Sequence, residues 1–244
     1  MHLTRLFMFF TAMLLVSCTN SNTQNTTKEN AEEKAVETPA VTEPVAIDTV
    51  VTPDGYQKLG QAAGDLDKDG TDEQAFVFDT GNNTDLGTER VLQIFKNSGN
   101  TWTLWHKSIG AVLPSESGGV LGDPFQEVKI ENGCIVISHF GGSREKWAYT
   151  HRFRFQDGSW QLIGATVNNG APCEQWENID YNLSTGKIKY EKEIENCEGG
   201  EDNVKTTKET KDFVKKLPVL PAMDGFRPGE NKLMLPGLKA QYYY

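Results

Sequence analysis

The chain has 244 residues, 34 acidic and 24 basic, with a formal net charge of −10 at neutral pH. Nucleic-acid binding and charge-driven attachment to anionic lipid both call for a basic face, so this balance argues against either. Beyond residue 53 about 190 residues remain, enough for one domain with a sizeable core.

Taken in chain order, residues 1–17 read as a signal segment. His2 and Arg5 precede an apolar run over residues 6–16 that is too short to span a bilayer. The run ends in Leu15-Val16-Ser17-Cys18, which resembles the lipobox of bacterial lipoproteins. The resemblance implies cleavage before Cys18 and lipid on that cysteine. Several acyl chains would hold the protein stably, each buried methylene adding about 0.8 kcal/mol. The mature chain is then expected to be anchored to a cell-envelope membrane without spanning it. Thr19 stands where an aspartate would follow the cysteine, which favours the outer membrane, on its periplasmic or surface side. From Cys18 to residue 53 the chain is rich in Thr, Asn, Glu, Ala and Pro and has no aromatic residue, the composition of a flexible tether.

The densest chemical signal is Asp65-Leu66-Asp67-Lys68-Asp69-Gly70-Thr71-Asp72-Glu73. Aspartates on alternate positions before a glycine let one short loop converge several oxygens on a hard cation, and calcium takes six to eight such ligands. An EF-hand would need an acidic ligand at the twelfth position and flanking helices, but that position is Phe76 within a strand pattern. The loop, followed by Ala75-Phe76-Val77-Phe78, resembles those of FG-GAP and VCBS repeats, which decorate integrin-type β-propellers. The resemblance implies a structural calcium ion held by Asp65, Asp67, Asp69, Glu73 and the backbone carbonyl of Thr71. A propeller repeats its blade at a fixed period, and the sequence holds one copy of the motif.

Period-two alternation runs through most of the chain beyond this loop. Trp147, Tyr149, His151, Phe153 and Phe155 share one face of a strand, opposite Ala148, Thr150, Arg152, Arg154 and Gln156. Ile179, Tyr181 and Leu183 repeat the pattern, as do Ile188 and Tyr190. Turn chemistry at Asn132-Gly133, Asp157-Gly158 and Thr185-Gly186 predicts three hairpins, with a fourth at residues 97–100. Only residues 206–216 read as a short helix, ended by Pro218 and Pro221. The expected fold is all-β: an antiparallel meander of about ten strands forming a sandwich, a small barrel or partial propeller-like blades. The β domain is drawn over residues 54–200, with a C-terminal extension over 201–244. Gly122-Asp123-Pro124-Phe125, His139-Phe140-Gly141-Gly142-Ser143 and Trp147 also resemble a group of uncharacterised bacterial lipoproteins, which brings no activity with it.

With lipid on Cys18, three cysteines remain and one must be unpaired within the chain. Cys173 and Cys197 flank the hairpin predicted over 178–194, where a disulfide is geometrically feasible in an oxidising compartment. Cys134 reads as a small buried hydrophobe. The sequence has no HExxH, GxSxG or CxxC motif. The strongest catalytic grouping is His139, Ser143 and Arg144 in a glycine-rich loop, with Glu145 or Asp123 to orient it. Trp147, Trp160 and Trp176 are expected mostly in the core, with a sugar platform as the alternative. These readings point to a calcium-stabilised binding module whose partner is an envelope protein or a glycan. A periplasmic hydrolase using the His139 loop and a structural accessory subunit stand as the alternatives.

Overall fold

The computed structural model describes residues 50–99, 101–197 and 205–244. The signal segment, Cys18 and the tether as far as residue 49 lie outside the described residues. Thirteen strands form among these residues. A four-stranded sheet runs in order through β1 (Gln57–Gly64), β2 (Glu73–Thr84), β3 (Gly87–Asn97) and β4 (Trp102–Ile109). A seven-stranded sheet comes next, with β5 (Phe125–Glu131), β6 (Cys134–Gly142), β7 (Lys146–Gln156), β8 (Ser159–Ala171), β9 (Gln175–Asn182), β10 (Lys187–Asn196) and β11 (Lys205–Val214). The short strands β12 (Lys232–Met234) and β13 (Gln241–Tyr243) pair with each other. Every strand in the two larger sheets pairs with its sequence neighbour, antiparallel, so the fold is an all-β meander. There is no closed barrel and no membrane-length apolar helix among the described residues.

Local chemistry sets the hairpins. Asn132 and Gly133 adopt φ of 53° and 72°, and Asp157 and Gly158 adopt 51° and 77°. Two successive positive φ angles make the tight turn whose twist matches antiparallel strands, and Asn-Gly and Asp-Gly reach it at little steric cost. Between β9 and β10, Gly186 takes φ of 78°. The β3–β4 connection is closed by the Ser98 N–H donating to the Thr101 carbonyl at 2.9 Å.

The helix expected over residues 206–216 is not formed, and the segment is strand β11 instead. Thr206, Thr207 and Thr210 are β-branched, and nearly all side chains of β11 are exposed, so a helix here would have no broad apolar face to bury. As a strand it pairs with β10 along its whole length. Opposite charges face each other across that pairing, Lys192 against Glu209 and Glu193 against Lys208, the latter ion pair at 2.9 Å.

The boundary drawn at residue 200 does not separate a domain from an extension. Met223, Phe226, Leu233, Leu235, Tyr242 and Tyr244 are all buried in the main core. The Leu162 N–H donates to Pro221 O and the Met223 N–H to Trp160 O, both at 2.8 Å, stitching this segment to β8. Phe226 meets His151 and Phe153 edge-on, and Tyr244 meets Tyr181 in the same way. The C-terminal chain therefore covers the inner face of the seven-stranded sheet. Ala75 and Val77 of β2 join the same core, while Phe76 and Phe78 point the other way into a smaller aromatic cluster with Val91 and Phe95. Glycine brings the two sheets together: a Cβ on Gly64 would lie 2.7 Å from Ile130 Cγ2, so only a residue without one lets β1 approach β5 this closely.

Two histidines are sealed into this core. His151 is fully buried and neither ring nitrogen has a hydrogen-bond partner; His139 is 1 % exposed with Nδ1 unpartnered. Burial holds each imidazole neutral, with pKa values pushed down to about 3 from an ordinary 6.5. The neighbouring His139 and Arg152 reinforce the effect at His151. Above pH 6.5 both states carry neutral rings and nothing is lost. Below it the unfolded chain gains protons that the folded one refuses, so stability falls as the pH drops from 6.5 toward 3. Denaturant unfolding should show a loss of up to about 1.4 kcal/mol per histidine for each pH unit in that window. The His151→Leu variant should show a shallower slope than the parent, and equal slopes would refute the assignment.

Candidate metal centre

Strands β1 and β2 pair up to Gly64 opposite Glu73, and residues 65–72 form the loop between them. The loop is shaped by its own aspartates. Asp65 Oδ1 accepts from the Lys68 N–H at 2.6 Å and Oδ2 from the Gly70 N–H at 3.1 Å. Asp67 Oδ1 accepts from the Asp69 N–H at 3.2 Å, and Asp69 Oδ1 from the Thr71 N–H at 2.7 Å. Such side-chain-to-backbone bonds are what aspartate supplies in tight turns. Lys68 and Gly70 take φ of 66° and 88°, which curls the chain around its acidic side chains. Leu66 points into the core and fixes the loop to the domain.

The structure brings together Asp65, Asp67 and Glu73, each offering one carboxylate oxygen within 4.8 Å of the other two. Glu73 is 1 % exposed, and its Oε2 accepts from the Leu66 N–H at 2.7 Å. Burial pushes its pKa up; the Leu66 bond opposes this, and the charges of Asp67 and Asp69 add to the rise. Asp69 and Thr71 are exposed and stand outside the convergent trio. A donor set made only of carboxylate oxygens fits a hard divalent cation and offers nothing to a soft one.

Lys96 of β3 enters the site unannounced by the sequence motif. Its ammonium pairs with Asp67 Oδ2 and lies 3.9 Å from the centroid of the Trp105 ring. That hydrogen bond is the main reason Asp67 titrates below the usual carboxylate range. Lys96 is 29 positions from Asp67, and only the β2–β3 register puts them side by side.

The other predicted residues are dispersed. Cys173 and Cys197 form a disulfide with Cα atoms 5.4 Å apart, and Cys134 is buried and free. His139 Nε2 accepts from the Leu113 N–H at 3.2 Å inside the core, whereas Ser143 and Glu145 line an open groove. Arg144 pairs with Glu174, and Asp123 with Arg90 at 2.6 Å. The His139 grouping is therefore not assembled around one point. Trp160 packs in the core against Trp105 and Phe155, while Trp147 lines the groove. Among known proteins, no family model, no curated protein and no solved structure matches this chain.

The raised pKa of Glu73 has a definite sign. Its contribution to stability is present below its unfolded value and is lost as the pH rises through the folded one, so without a cation its ionised form destabilises the fold at neutral pH. Glu73→Gln keeps an acceptor for the Leu66 N–H and removes the charge. In EDTA the variant should be more stable than the parent at pH 7, with the difference shrinking at pH 4. A variant less stable than the parent at pH 7 would contradict this reading.

Proposed function

We propose that the protein is a lipid-anchored, calcium-stabilised binding module of the cell envelope. The observation that carries the calcium assignment is the convergence of Asp65, Asp67 and Glu73 within 4.8 Å, with Glu73 buried beneath the loop. Three carboxylates so close repel one another, and a divalent cation turns that repulsion into attraction. Asp69 and Thr71 are exposed residues of the same loop, and the Asp69 carboxylate and Thr71 carbonyl would complete the shell together with water. The ion's role is structural: it ties β1 to β2 and orders the loop between them. Lipid on Cys18 and the tether behind it support placement at an envelope membrane, and the partner is another envelope protein or a glycan within the tether's reach.

The test is thermal and denaturant unfolding of the full chain with calcium added after EDTA treatment. Extracellular calcium modules bind at about 10⁻⁴ to 10⁻³ M, so about 10 mM calcium should add roughly 1.4–2.7 kcal/mol. Asp65→Ala and Asp67→Ala should each abolish that gain. Lys96→Met removes the competing ammonium and should tighten calcium binding several-fold. No stabilisation of the parent at this concentration would overturn the calcium assignment.

A further inference from the structure

One row of the seven-stranded sheet lies just beyond the buried core. Tyr149, Val167, Ile179 and Tyr190 stand opposite one another across β7 to β10. Two residues farther along each strand, on the same face, the row becomes Trp147, Asn169, Glu177 and Lys192. Trp147, Asn169 and Glu177 line an open groove of about 810 Å³. That volume falls in the range of ligand sites, roughly 300–1,000 Å³.

Two of the lining groups are braced by their neighbours. The Trp147 indole stacks on Tyr149, with centroids 4.9 Å apart and planes 27° from parallel, and Tyr149 itself does not reach the groove. The ring also passes close to Gly141, where a Cβ would come within 2.3 Å of it. Glu177 Oε1 accepts from the Tyr190 hydroxyl at 2.6 Å and the Tyr242 hydroxyl at 3.1 Å. Both tyrosines are buried, so they fix the carboxylate while its other oxygen stays uncommitted to either. The side chains of Asn169 and Gln175 make no hydrogen bond among the described residues and are offered to the groove.

We infer that this groove binds a neutral oligosaccharide, an inference that rests on the binding-module reading and names its ligand class. A pyranose presents a C–H face to an indole, and hydroxyls that donate and accept to planar amides and carboxylates. Glu145 and Glu177 line the groove against Lys146, and Glu174 is occupied by Arg144, so the lining repels uronates and phosphates. Strands β7 to β9 are paired on both sides, which denies a peptide the free edge that strand addition needs.

The experiment uses the full chain in a sugar-free detergent and follows tryptophan fluorescence during titration with cellotetraose, tetra-N-acetylchitotetraose and tetragalacturonate. Saturable change with at least one neutral tetrasaccharide and none with tetragalacturonate is expected. Trp147→Ala and Asn169→Ala should each weaken binding about tenfold or more, a change of about 1.4 kcal/mol. Saturation-transfer NMR provides the same reading where the indole has been removed, and melting curves establish that each variant is folded. The calcium-induced shift in melting is measured on the same samples. No binding of either neutral sugar with the calcium shift intact overturns this inference alone, and loss of both overturns the calcium reading as well. Preference for tetragalacturonate, or unweakened binding in both folded variants, also overturns it.

Discussion

Mutual repulsion among the carboxylates at the β1–β2 turn is the constraint around which the first sheet is organised. Asp65, Asp67 and Glu73 converge within 4.8 Å, and Glu73 is buried there with one backbone N–H on its Oε2. Groups of like charge held so close require a counter-cation or a displaced proton equilibrium. The chain supplies part of the answer itself. Lys96, anchored over Trp105 of β4, places one positive charge against Asp67. In this way β3 and β4 help to neutralise the loop that joins β1 to β2.

The second sheet solves a different problem. Its seven strands would leave a wide apolar face open, and the C-terminal segment closes most of it with Met223, Phe226, Leu233, Tyr242 and Tyr244. The closure is sealed well enough to hold two imidazoles away from water, His151 with neither nitrogen partnered and His139 with its Nδ1 unpartnered. Where the cover ends the same face turns polar, and Tyr242 marks the border: its ring belongs to the core and its hydroxyl reaches Glu177. That uncovered row carries an indole stacked on Tyr149, an amide, and a carboxylate braced by two tyrosine hydroxyls.

Features that depend on neighbours in sequence are legible without the fold. The turns at Asn132-Gly133 and Asp157-Gly158 follow from residues that tolerate positive φ, and alternate aspartates announce a curled acidic loop. Other features depend on which strand lies beside which. Lys96 carries no local mark of its role; it reaches Asp67 because β3 pairs with β2. The segment 206–216 reads as a helix because its charged residues suit one, but the free edge of β10 offers it complementary charges as a strand. Trp147 and Trp160 look alike in sequence, and only the strand's place in the sheet sends one to the groove and the other to the core. The aromatic C-terminus looks like an appendage because a covering segment needs no periodicity of its own.

That the loop over residues 65–73 is a cation site can be tested through Trp105, which provides a built-in probe. The indole lies against Lys96, which pairs with Asp67, so a lanthanide bound in the loop would receive energy from it. The decisive experiment is terbium luminescence of the full chain under tryptophan excitation. A cation site there predicts saturable sensitised emission that calcium displaces and that Asp65→Ala abolishes. Emission that is absent, or that persists unchanged in Asp65→Ala and under excess calcium, would contradict the assignment.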